Sequence, residues 1–304
     1  MRTLLLMMAA VLTAAPLSAQ SPVGATHASP LQAKTPASPL QAQAAPAGDL
    51  PVYLRDRGEG IATSMFGTYV RKGELLVYPF FEWYADSNFE YTPRELGYGG
   101  DLEYRGRYRA SEGLIFLGYG VTNNLAVEFE AAVISAELEK SPSDTSAVPG
   151  TVTESGLGDV EMQVRWRFAT ENETHPEAFT FFETVFPLQR DRHLIGTSAW
   201  EYKLGFGLAR GFRWGTTTFR VSGEYSGEEA KFDAGEYALE YLKRLSPRWR
   251  IVAALEGNQL DEVALITEVQ WHFHRRAFFK VNNGWGLTTN ATDFAPEIGL
   301  MIAF

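Results

Sequence analysis

The last nine residues alternate. Pro296, Ile298, Leu300, Ile302 and Phe304 are large or apolar, with Glu297, Gly299, Met301 and Ala303 between them. A period of two marks a strand with one apolar face. The same period returns in residues 160–168, where Val160, Met162, Val164, Trp166 and Phe168 interleave with Glu161, Gln163, Arg165 and Arg167. In residues 262–274, Val263, Leu265, Val269, Trp271 and Phe273 oppose Glu262, Glu268, Gln270, His272 and His274. A soluble sandwich also alternates, but it buries Val and Leu and leaves its outer face without Trp and Phe. After the first residues, no run approaches the roughly 18 apolar residues of a spanning helix. Any further membrane crossing must use strands.

The pattern predicts an all-β chain, a transmembrane antiparallel up-and-down β-barrel of about twelve strands. They fall near 74–84, 108–121, 124–137, 156–169, 177–187, 199–211, 215–226, 234–245, 248–258, 262–273, 276–287 and 294–304. Ten or fourteen strands remain open, because the long first loop, 85–107, could hide a hairpin. Tight turns alternate with longer connections at 85–107, 138–155 and 188–198. All seven Trp fall near expected strand ends, at 83, 166, 200, 214, 249, 271 and 285. Indole prefers the headgroup layer, where its ring is apolar and its N–H stays wet. A chain that stops on an aromatic of the apolar face resembles the closing strand of a bacterial outer-membrane barrel. That resemblance implies recognition of the C-terminal strand by the barrel-assembly machinery.

Residues 1–19 read as a secretory signal peptide, with Arg2 before an apolar stretch and Ala19 at the cleavage position. Residues 20–51 are rich in Ala, Pro, Ser and Gln, and lack the apolar content to offset ordering, so a disordered periplasmic tail is expected. Residues 52–73 are Gly-rich and mixed in charge. They fit a lead-in to the first strand or a plug in the barrel mouth. Residues 74–304 are the expected barrel, in the bacterial outer membrane.

The formal net charge of -10 argues against nucleic-acid binding. The absence of Cys excludes thiolate metal sites, a Cys nucleophile, disulfides and a lipoprotein anchor. If the apolar faces meet lipid, the others line a lumen. The lumen set is Glu128, Glu130, Glu161, Arg165, Arg167, Glu201, Lys203, Arg220, Glu224, Glu236, Glu240, Arg250, Glu256, Glu262, Glu268, His272, Lys280 and Glu297. Charges there must be paired or wet, and the acidic surplus would favour cations in an open pore. Two His on one face, His272 and His274, with Glu268 nearby, suit part of a metal site, but polar turn residues explain them better. A barrel lipase would need a Ser–His pair; the sole His-x-Ser is His27-Ala-Ser29, in the expected tail. No catalytic residue, metal or cofactor is assigned.

Ser155-Gly-Leu-Gly-Asp159, leading into an alternating strand, and Gly120-Val-Thr-Asn-Asn-Leu125 at a turn resemble a family of outer-membrane channels. These are the uncharacterised channels associated with the phenol-degradation meta pathway. The resemblance implies a barrel over about 74–304 and a channel for small, often hydrophobic compounds. The expected function is a channel or transporter for small solutes, with lipid, solute and assembly machinery as partners. The alternatives are a non-conducting barrel that presents its loops as a binding surface and, third, an outer-membrane lipid hydrolase.

Overall fold

The computed structural model describes residues 50–227 and 230–304. The expected leader, and all of the expected tail except Leu50 and Pro51, lie outside them. A 3-10 turn at Val52–Leu54 precedes a small hairpin, β1 (Ile61–Ala62) and β2 (Tyr69–Val70). Twelve long strands follow: β3 (Leu75–Tyr91), β4 (Tyr104–Gly120), β5 (Leu125–Glu139), β6 (Thr151–Ala169), β7 (Glu177–Phe186), β8 (Glu201–Phe212), β9 (Gly215–Ser226), β10 (Lys231–Arg244), β11 (Trp249–Gly257), β12 (Val263–His274), β13 (Ala277–Gly286) and β14 (Phe294–Ala303). Each pairs antiparallel with the next, and β14 pairs with β3 to close the barrel. Closure leaves no strand edge facing lipid, where an unpaired backbone group would cost several kcal/mol.

Phe304 completes that closure. Its N–H donates to Leu75 O at 2.9 Å, and the Leu75 N–H donates to Phe304 O at 3.2 Å. The greasy face of β14 points outward, with Ile298 well exposed, while Glu297 is buried inside.

Strands β3, β4 and β6 run well past their expected outer ends, at 17, 17 and 19 residues. The 85–107 stretch therefore holds the rest of one hairpin, not a second one. A register shift between Asp86 and Phe89 breaks the alternation there and hid the continuation. Trp83 consequently lies inside β3 rather than at its end. Its ring meets Phe294 at 6.2 Å, and Phe294 meets Trp285 at 5.3 Å. These rings form part of an outer aromatic belt. Trp214 with Phe212, and Trp249 with Trp271, belong to a second belt near the short turns. Between the belts the wall is aliphatic and aromatic, with Leu204, Phe206, Val221, Val269 and Val281 exposed. That exterior suits hydrocarbon and nothing aqueous.

The Ser155–Asp159 motif belongs to the strand it was expected to lead into. It sits within β6, beside a register shift opposite Ala131 and Val133. Asp159 accepts N–H bonds from Leu188 at 2.7 Å and Thr197 at 2.5 Å. It thereby ties down the long connection between β7 and β8.

Candidate functional site: the lumen and its two closures

Of the expected lumen set, Glu128, Arg165, Arg167, Glu268, Lys280 and Glu297 are buried in the barrel, and Glu130, Glu161, Lys203, Arg220, Glu236, Glu240 and Glu256 line its internal spaces. Their surroundings differ with height. At the short-turn end, the lumen is filled by residues 52–72. Arg57 pairs with Glu171 at 2.8 Å and Glu177 at 2.9 Å, all three side chains at most 1% exposed. Burial works against the Arg57 charge, but the two carboxylates outweigh it and hold its pKa above the ordinary value. Arg167 joins the cluster through Glu177 at 3.1 Å and the carbonyls of Gly60 and Asn123. On the far wall, Asp56 pairs with Lys243 at 3.2 Å and accepts the Arg244 N–H at 3.0 Å. Arg250 stands beside Arg244 and Gln270 at the same end.

The backbone of this segment runs so close to the wall that side chains would not fit. A Cβ on Gly211 would lie 1.8 Å from Tyr53 O, and one on Gly120 1.9 Å from Arg71 O. Glycine at both positions is a consequence of the insertion. Ile61 and Val70 pack with Tyr78, Phe80, Phe116 and Met301, all inward-facing.

The tip of the segment, Ser64 to Gly67, reaches the middle of the barrel. Ser64 N–H donates to Glu128 at 3.0 Å, and Gly67 N–H to Glu240 at 3.2 Å. Arg220 donates to Ser64 O at 3.2 Å, lies over the Phe66 ring at 5.6 Å and pairs with Glu256. Lys280, with a side chain 0% exposed, pairs with Glu268 at 3.0 Å and Glu297 at 3.5 Å. Arg165 stands over Phe179 and Phe181 at 5.0 and 5.1 Å, with Glu128 at 3.3 Å. Each cation here thus has a carboxylate and an aromatic face, as desolvated cations require.

Above the tip lies a cavity of ≈ 590 Å³. Eight carboxylates line it, against one basic group, Arg220. Their arrangement is unusual. Glu130 opposes Glu161 directly across β5–β6, and Glu82 opposes both Glu297 and Glu112. Like charges placed opposite one another are destabilising. Among the described residues, Glu82, Glu112, Glu130 and Glu161 make no salt bridge within 4 Å. Lys203, bonded to Glu236 at 2.8 Å and Glu183 at 3.2 Å, is the nearest basic group on that wall. Glu201, Glu224 and Glu262 stand higher, at the outer rim.

The outer mouth is narrowed by the 187–200 connection. Its Ile195 packs against Ala110 and Ala136 on the inner wall, with Leu194 beside it. Below this fold lies a second space of ≈ 320 Å³, bounded by Glu112, Glu130, Glu161 and Lys203.

His272 and His274 do not converge. His272 bonds Gln270 at 3.0 Å and packs tilted against Phe278, while His274 accepts the Arg276 N–H at 3.2 Å. Among the described residues no group of three or more His, Cys, Asp or Glu could hold a metal ion. His27 and Ser29 lie outside the described residues.

No family model matches the chain, and no curated protein matches it. Solved structures do. The COG4313 outer membrane channel from Pseudomonas putida F1 aligns over 80% of this chain and 100% of its own, with a TM-score of 0.55 and 15% identity. The KdgM porin in complex with disordered oligogalacturonate covers 76% of this chain and 99% of its own, with a TM-score of 0.46 and 7% identity. The translocator domain of autotransporter NalP from Neisseria meningitidis covers 77% and 90%, with a TM-score of 0.46 and 9% identity. At such identities the likeness is one of fold. The closed sheet, the apolar exterior and the paired aromatic belts together make this chain a twelve-stranded barrel of the bacterial outer membrane.

Proposed function

We propose that the protein is an outer-membrane channel for small solutes, closed at its inner end by residues 52–72 and opened when they move. The observation that carries this reading is the row of unpaired carboxylates around the ≈ 590 Å³ cavity. A barrel built only to be closed would gain by pairing or removing these charges, as its lower half does. Charges left unpaired must stay wet, which keeps this space open to water and to solute. The field they create favours cations and neutral molecules over anions. The Pseudomonas putida outer membrane channel that shares this fold, and the resemblance of two short motifs to channels of the phenol meta pathway, support the same class. Ion conductance across planar bilayers tests it. Current should be small for the unaltered chain and should rise, cation-selective, when the Arg57 and Asp56 contacts are removed.

The lower half, where Arg57, Arg167 and Lys243 each meet a carboxylate, favours a second reading, a non-conducting barrel that presents its outer loops. Under that reading, breaking the Arg57 cluster destabilises the protein without opening a current.

A further inference from the structure

The seam between β3 and β14 is short of hydrogen bonds. In an antiparallel ladder, alternate residues direct both N–H and C=O to the same neighbour. Leu75 and Phe304 exchange both bonds across this seam. Counting inward in steps of two, the pairs 79/300 and 83/296 also belong to the seam. Residues 79 and 296 are both proline, so each pair can make at most one of its two bonds. The ladder is interrupted at both places, between Ala85/Phe294 and Glu82/Glu297, and again between Phe80/Gly299 and Val77/Ile302. Proline in sheets is normally confined to edges. A closed barrel has none, yet both of these face one seam.

The two gaps differ in what lies behind them. Behind Pro79 are Tyr78 and Met301, packed with Phe80 and Phe116. Behind Pro296 is the ≈ 590 Å³ cavity, walled there by Tyr84, Gly284, Ala295 and Glu297. In front of it, on the lipid side, Trp83, Phe294 and Trp285 make an aromatic frame. Asn283 is the direct cross-strand partner of Pro296, and its Oδ1 is buried with no hydrogen-bond partner. A buried acceptor without a donor is a cost that a ligand donor would remove.

We propose that the Pro296 gap is a lateral portal, through which a small aromatic amine passes between the outer leaflet and the acidic cavity. The aromatic frame receives the ring. Asn283 Oδ1 accepts the N–H at the crossing, and Glu82 and Glu297 receive the amine inside. The portal serves the channel reading above, but access to the cavity can be measured without any net transport.

The test uses the full chain, which has no Cys of its own, with Ile266→Cys as a reporter in the cavity wall. Folded protein in vesicles is labelled by N-phenylmaleimide carried in the lipid, and separately by a charged, water-soluble thiosulfonate. Adding Pro296→Thr restores one donor and should slow lipid-borne labelling about fivefold, one net hydrogen bond in the opening equilibrium. Aqueous labelling should not change. Pro79→Val, which restores the other donor where no cavity lies behind, should leave both rates alone. 2-Phenylethylamine should protect against the lipid-borne reagent. Labelling indifferent to Pro296→Thr, slowed equally by Pro79→Val, or unaffected by the amine would overturn the proposal. Absence of ionic current would instead count against the channel reading and leave these rates interpretable.

Discussion

Arg57 and Glu177 meet at 2.9 Å inside the short-turn end of the barrel, 120 residues apart in sequence and both shielded from solvent. Glu171 completes the contact at 2.8 Å. Replacing Arg57 by Ala leaves Glu177 with Arg167 at 3.1 Å and Glu171 with Arg210 at 3.5 Å as their remaining partners, so the loss should fall below the about 3–5 kcal/mol of an orphaned buried charge. The barrel ladders do not pass through this residue, so the loss should fall on insertion of residues 52–72. Limited proteolysis should cut Arg57→Ala within 52–72 while the barrel keeps its folded electrophoretic mobility.

Gly211→Val probes the same insertion by sterics. Any Cβ there would overlap Tyr53 O. The variant should release the segment to protease much as Arg57→Ala does, since the backbone of Tyr53 and not a charge is displaced. A variant as protected as the parent would mean that the segment relocates without leaving.

The lipid-facing wall predicts a depth-dependent cost. Val281 lies between Phe279, the partner of Trp271, and Trp285, so it is near the bilayer middle. Leu265 is the direct partner of Trp285 and lies at belt depth. Val281→Arg should cost about 2–4 kcal/mol and Leu265→Arg about 0–1 kcal/mol. Denaturant titration of bilayer-folded protein separates these values. Equal costs would contradict the placement of the belts.

That contrast shows what the sequence discloses and what it does not. Inner and outer faces were legible wherever one face is polar and the other greasy, as at Glu161 to Phe168. They were not legible at Glu82 in β3 or Glu183 in β7, where Tyr78, Phe80, Phe179 and Phe181 make the inner face apolar too. Those rings face inward because residues 52–72 pack on them: Ala62 and Tyr69 on the phenylalanines, Ile61 and Val70 on the tyrosine. The segment itself gave no pattern, because Arg57, Asp56 and Gly67 bond to residues more than a hundred positions away. The outer ends of β3 and β4 were hidden by the shift at Asp86. The vestibule's acidity could be foreseen, but not that Glu82, Glu112 and Glu297 would share one row.

Above the outer belt, Asp293 clasps β3, accepting bonds from Ser87 Oγ at 2.6 Å and Ser87 N at 2.9 Å. These bonds hold the Asp293 carboxyl below its ordinary value of 3.8. Because the folded-state value is depressed, the clasp is present above the ordinary value and is lost as pH falls through the depressed one. Hydrogen exchange at Ser87 N–H should be slower in the parent than in Asp293→Asn at pH 6. The difference should vanish below the Asp293 value.

Deleting Phe304 removes two backbone bonds with Leu75, about 1–3 kcal/mol in sum. These bonds close the barrel, so the deletion should slow folding into bilayers more than it alters any current from the folded fraction. Folding rates unchanged by the deletion would assign closure to the inner part of the seam.

In the function proposed above, residues 52–72 close a cation-favouring path. This closure is tested most directly by single-channel current and reversal potential of the full chain carrying Asp56→Ala and Arg57→Ala, beside the parent. The parent should be nearly silent, and the variant should open stepwise with a reversal potential displaced toward cations. A folded variant as silent as the parent, or one that prefers anions, would contradict it.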